Sequence, residues 1–128
     1  KWFLDKMVNA CRAIRDQKEE RSNSAAKKAM LYIQENYSKD ISLDDVSGLV
    51  NISPYYFSKL FKEETGENFI EYLTKIRIEK AKEFLVKPDI SIKEAGIRSG
   101  YTDPNYFSRI FKKQTDMTPS EYKTRYGE

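Results

Sequence analysis

Tyr55, Ser58, Lys59 and Lys62 stand at i, i+3, i+4 and i+7, the spacing that puts four side chains in one stripe along a helix. Asn105, Ser108, Arg109 and Lys112 repeat that spacing later in the chain. Both stripes hold hydroxyl, amide and cationic groups and no carboxylate, although Glu63, Glu64 and Asp116 lie close by in sequence. Groups of this kind address nucleic acid. Arginine or lysine can donate to O6 and N7 of guanine, asparagine can pair both ways with adenine, and serine is permissive. Tyr55 could touch a thymine methyl or a phosphate. Lys62, Lys112 and Lys113 suit phosphates, which set position and affinity without carrying sequence information. A single stripe of this kind is most simply a solvated helix face; its recurrence at matched positions argues against that.

The stripes belong to a longer repeat. The stretch "SPYYFSKLFKEETGENFIEYLTK", residues 53–75, returns in altered form as "DPNYFSRIFKKQTDMTPSEYKTR", residues 103–125. Opposite each stripe lies an apolar face, Phe57, Leu60 and Phe61 in one copy and Phe107, Ile110 and Phe111 in the other, and core packing is the default for such residues. Tyr56-Phe57 and Tyr106-Phe107 could instead be base-stacking platforms, but the inward spacing of the phenylalanines favours packing.

Helical spacing governs almost the whole chain, and no long alternating run suggests a sheet, so the fold class is all-α. Ala26, Met30, Ile33 and Tyr37 line a helix that Ser24 would cap. "ISLDD" and "ISIKE" offer capping-box starts at Ser42 with Asp45 and at Ser91 with Glu94. Ser53-Pro54 and Asp103-Pro104 each place a capping residue before a first-turn proline. A short helix, a turn at Asn51-Ile52 or Gly100-Tyr101, and a second helix make each copy a helix-turn-helix, with the turn of the second copy one residue longer. Between the copies, Phe69, Leu73, Ile76, Ala81 and Leu85 mark one amphipathic helix that stops at Pro88, and Thr118, Pro119 and Glu121 open a final helix. A connecting helix of about 18 residues, about 27 Å long, could hold two reading heads roughly one DNA turn apart.

Composition narrows the alternatives. The chain has 128 residues, 39% apolar and 34% charged, which allows one modest core or two small ones. The net charge of +3 permits an acidic partner without demanding one. With no histidine, the commonest general base and most zinc ligand sets are missing, and no phosphate-binding glycine loop or paired carboxylates stand out. We therefore expect no enzyme, no catalytic residue, no metal and no cofactor. The lone Cys11 reads as a small apolar residue on a helix face, in a reducing cytoplasm. No apolar run nears the roughly 18 residues of a membrane span. Lys1 is not a start methionine, which points to a piece of something longer. Phe3, Met7, Ala10 and Ile14 form a helical seam of about two heptads, which fits either a coiled-coil dimer contact or docking on a neighbouring domain.

The runs "ISPYYFSKLFKEETGENFIEYL", "RIEKAKEFL", "GYTDPNYFSRIFKK" and "TPSEYKTRY", in this order and spacing, resemble the AraC/XylS family of bacterial transcriptional regulators over about residues 25–126. The resemblance implies two helix-turn-helix subdomains joined by a connecting helix, with the second helix of each as recognition helix. It points to Tyr55, Ser58 and Lys59 and to Asn105, Ser108 and Arg109 as base readers, the positions the stripes select. Ser42, Lys62, Lys112 and Lys113 are the phosphate candidates. Arg77 and Ile78 match a family pair in the connecting helix, and Arg77 is expected to tie the units together rather than read a base. Gly96 and Ser99 stand where the family prefers alanine and valine, and Ser47 where it prefers alanine, which implies a looser first helix in the second unit. Family members couple this domain to a sensor or a phosphorylatable receiver. The seam and "LYIQENYSKDISLDDVS" look like the connector and entry of a response regulator.

The expected organisation is thus a linker helix over residues 1–23 and a DNA-binding domain over 24–128. Within the latter, the first unit covers about 42–64, the connecting helix 68–86, the second unit 91–114 and the final helix 119–126. The expected partners are double-stranded promoter DNA, RNA polymerase and a second copy through residues 3–14, with activation as the outcome. A helix-turn-helix module that binds protein instead of DNA is the alternative.

Overall fold

The computed structural model describes residues 24–128, and every described element is a helix. They are α1 (24–36), α2 (Leu43–Leu49), α3 (Pro54–Thr65), α4 (Phe69–Leu85), α5 (Ile92–Ser99), α6 (Pro104–Thr115) and α7 (Pro119–Tyr126). The expected Phe3–Ile14 seam lies outside the described residues. Ser24 is already helical, so it does not cap α1.

Local chemistry accounts for the other helix starts. Ser42 and Thr118 form complete capping boxes with Asp45 and Glu121, and Asn68 forms a third with Glu71 at the head of α4. Ser91 makes only half of one. Its hydroxyl accepts from Glu94 N at 3.0 Å, but the Glu94 carboxylate turns away to Arg98 Nε at 2.9 Å. The turns after α2 and α5 are built alike. Ile52 N donates to Ser47 O and Asn51 N to Gly48 O, while Tyr101 N donates to Gly96 O and Gly100 N to Ile97 O. This is the Schellman pattern, with Asn51 (φ 59°) and Gly100 (φ 111°) in the left-handed position. The extra residue of the second turn is Thr102, which follows the matched bonds.

Two cores result. The first gathers Ala29, Ile33, Val46, Phe57, Phe61, Phe69 and Leu73; the second gathers Ile78, Ala81, Leu85, Ala95, Tyr101, Phe107 and Phe111. Both draw on α4, which therefore differs from the single-faced helix expected. At about 100° of turn per residue, Phe69 and Leu73 point roughly 140° away from Ile78, Ala81 and Leu85. Ile76, expected in the same stripe as Ala81, is only half-buried, and Ile78 is buried instead. The first half of α4 thus completes one unit and the second half founds the other.

The first helix of the second unit is not loose. A Cβ on Gly96 would stand 2.8 Å from Cδ2 of Phe107, so the phenylalanine ring fills the space an alanine methyl would take. Ser99 is fully buried, and its hydroxyl donates to Gly96 O at 3.0 Å, which satisfies it within its own helix. Ser47 does the same toward Asp44 O at 3.2 Å.

Candidate nucleic-acid interface

α3 and α6 are positioned by the same devices. Ser53 Oγ accepts from Tyr56 N at 3.2 Å and Asp103 Oδ1 from Asn105 N at 3.0 Å, each just before a proline that fits the first turn. At the other end, Thr65 Oγ1 donates toward Phe61 O at 2.8 Å and lies 2.9 Å from Glu67 O; Thr115 Oγ1 repeats this with Phe111 O at 2.8 Å and Met117 O at 3.0 Å. Gly66 and Asp116 then leave each helix in the left-handed conformation. The inward faces are locked by aromatic packing, Phe57 against Phe61 at 5.4 Å between centroids and Phe107 against Phe111 at 5.8 Å. All four phenylalanines are at most 1% exposed, which rules them out as stacking platforms.

The two stripes lie outside, together with Tyr56, Glu63 and Glu64 on α3 and Tyr106 and Gln114 on α6. Tyr55, Lys59 and Lys62 are exposed with Ser58 half-buried beside them; Asn105, Arg109 and Lys112 are exposed with Ser108 half-buried beside them. The burial pattern matches position by position. Tyr55 is 82% exposed, so an aromatic side chain stands in water with nothing in its own unit to cover it. Lys113 is exposed as well, and among the described residues none of Lys59, Lys62, Arg109, Lys112 and Lys113 joins an ion pair; the pairs there use Lys75, Lys80, Lys82 and Arg98.

The helix termini add to this charge distribution. α2, α4, α5 and α7 carry an acidic residue in the first turn, whereas α3 and α6 carry none there. Carboxylates in the first turn offset the positive end of a helix dipole. The start of α3 keeps its field, while α6 has Asp103 at its cap.

Ser42 is placed differently from the lysines. Its hydroxyl oxygen accepts from Asp45 N at 3.1 Å, and Asp44 and Asp45 fill the first turn of α2. Only its hydroxyl proton remains for a phosphate, next to two carboxylates that would repel one. A further lysine, which sequence spacing did not single out, comes in from α4. Lys62, Lys75 and Lys113 line one open cleft with Ile70, Thr74 and Ile110, where the ends of α3 and α6 converge on the start of α4. Lys75 pairs with Glu67 at 3.6 Å. Ile110, expected in the core, is half-buried: it packs against the second core and also edges this cleft, where Ile70 is 63% exposed.

The sequence model of a helix-turn-helix domain family matches residues 46–125, which takes in both units and the helix between them. The chain belongs to the AraC-type helix-turn-helix family of transcriptional regulators. This AraC-type chain is 39% identical to the C-terminal domain of AraT, a response regulator from Geobacillus stearothermophilus, with a TM-score of 0.78 over 81% of this chain and 87% of that one. The C-terminal domain of the two-component response regulator YesN from Fusobacterium nucleatum is 33% identical, with a TM-score of 0.74 over 78% and 98%. The regulatory protein PocR of Salmonella typhimurium is 37% identical over 106 residues, 83% of this chain and 35% of PocR. The chain spans about a third of the length of the first curated relatives it matches. Among the described residues of the AraC-type chain, no helix is long and apolar enough to cross a membrane.

Proposed function

We propose that the two stripes are reading heads that enter successive major grooves of one DNA duplex. The observation that carries this reading is the matched exposure of two unpaired cationic stripes on helices whose inward faces and ends are built alike. In each major groove, Lys59 and Arg109 donate to guanine edges, Asn105 addresses adenine, Tyr55 meets a thymine methyl or phosphate, and Ser58 and Ser108 fill the permissive positions. Lys62, Lys112 and Lys113 hold the backbone; Ser42 can offer only its hydroxyl proton, against the repulsion of Asp44 and Asp45. α4, with 17 residues, is about 26 Å long, which suits heads centred about one DNA turn apart. No step of this activity requires catalysis or a cofactor.

The likeness to response-regulator C-terminal domains supports a two-component regulator whose receiver lies elsewhere in the full protein. Activation in the cytoplasm through RNA polymerase, with residues 3–14 pairing two copies, completes the proposal.

Selection from a random duplex pool at fixed near-physiological salt tests it. The expected result is a two-box site, with both boxes degraded for a Lys59→Ala, Arg109→Ala double variant. Binding that responds to salt and ignores sequence would assign the units to protein interaction instead.

A further inference from the structure

Arg77 lies between the two apolar faces of α4. Counting about 100° per residue, its side chain leaves the helix midway between the direction of Phe69 and Leu73 and that of Ile78 and Leu85. Its guanidinium uses that position to touch both units at once. Nε donates to Tyr37 O at 2.7 Å and a terminal nitrogen donates to Lys39 O at 2.8 Å, which fastens it to the chain leaving α1 in the first unit. On the other side, Nε stands 2.7 Å from where a Gly100 Cβ would be, and the guanidinium carbon lies 5.4 Å from the centre of the Tyr101 ring. Gly100 and Tyr101 are the turn of the second helix-turn-helix. The carbonyl of Tyr37 would itself lie 2.9 Å from that Cβ. A planar cation is thus clamped between a pair of carbonyls of one unit and the turn of the other, where the two cores meet.

We infer that Arg77 sets which separation of the two half-sites the chain accepts; this rests on the two-headed reading proposed above. Each added base pair moves a box by about 3.4 Å along the duplex and turns it by roughly 35° about the axis. A two-headed reader can follow such a change only by rotating one unit against the other or by straining the DNA. α4 runs through both cores and fixes their separation, but a helix bends and twists gently along its length. The guanidinium resists that rotation because its fork must keep both carbonyls on one side and the turn on the other. Lysine cannot do this, since a single ammonium has no planar fork.

The experiment measures binding of the whole 128-residue chain to duplexes with both selected boxes held constant and the spacer changed in one-base-pair steps, for wild type, Arg77→Ala and Arg77→Lys. Wild type should prefer one spacer over its immediate neighbours by about tenfold or more, a DNA deformation penalty of ordinary size. In Arg77→Ala that preference should fall to about threefold or less, with the base preferences within each box unchanged. Should the alanine variant fail to fold by circular dichroism, Arg77→Lys carries the same comparison and should show the same flattening. If a folded variant loses affinity by one common factor at every spacing, or if wild type binds all spacings alike, the inference is overturned. If wild type selects no two-box site, it is the two-headed reading itself that fails.

Discussion

Arg77 and Gly100 are fitted to each other: the Nε of Arg77 occupies a point 2.7 Å from where any β-carbon at position 100 would be. Gly100 also has φ 111°, which side chains other than glycine rarely adopt. Both facts bear on one substitution. Gly100→Ala should destabilise the fold by about 2–3 kcal/mol, read as a lower denaturant midpoint at constant slope. At the matched turn, Asn51 holds φ 59°. Asn51→Gly should change stability by less than about 1 kcal/mol.

Gly96 gives a second test, with two opposing terms. Alanine in a helix interior is favoured over glycine by about 1 kcal/mol. Against this, a methyl 2.8 Å from Phe107 Cδ2 overpacks a core in which Phe107 is 1% exposed, at about 1–3 kcal/mol. Overpacking should win, so Gly96→Ala is expected to lower the unfolding midpoint. Paired with Phe107→Leu, its effect should be smaller than alone, a non-additivity that a double-mutant cycle detects.

Arg109 and Lys112 lie on one stripe but have separate expected roles. Arg109→Ala should cost about 1–3 kcal/mol of specific binding and relax the preference at one base position. Lys112→Ala should weaken all sequences alike and flatten the salt dependence by about one unit. Equal and sequence-blind losses from both would remove Arg109 from base reading.

Tyr101 links packing to alkaline pH. Burial pushes its hydroxyl above the ordinary value of 10.0, with Arg77 pulling it back in part. The folded protein therefore keeps this proton to higher pH than the unfolded chain does, so the stabilisation is complete below pH 10 and declines as pH rises beyond it. Urea midpoints from pH 8 to 11 should show a steeper alkaline decline for wild type than for Tyr101→Phe.

Glu121 works in the opposite direction. The amide and hydroxyl of Thr118, the partners in its capping box, hold its carboxyl below the ordinary 4.5. The contribution of this box to α7 is present above that value and disappears as pH falls through the folded one. A carboxyl titration followed by NMR should place Glu121 below that ordinary value.

Short-range chemistry was readable in the chain. Ser42, Ser53, Ser91, Asp103 and Thr118 cap the helices their neighbours predict, because a cap and its partner lie within three residues. The stripes were readable for a related reason, since outward and inward positions alternate with a fixed period. What escaped depended on distance or on two partners sharing one element. The partners of Arg77 lie some forty residues upstream. The two faces of α4 blur into one stripe when read as a single period, which is how Ile76 stood in for Ile78. Gly96 read as a gap because the ring that fills it comes from another helix. Lys75 reached the cleft through the fold alone.

The matched helix stops at Thr65 and Thr115 hold unlike outward residues: Tyr55 and Lys59 in one unit, Asn105 and Arg109 in the other. A symmetric dimer reads a palindrome and cannot tell upstream from downstream. On the two-headed reading proposed above, two different heads in fixed order on one helix would spell an asymmetric word, and the bound duplex would acquire an arrow. α1, packed in the first unit, would then always come to rest at the same end of that word.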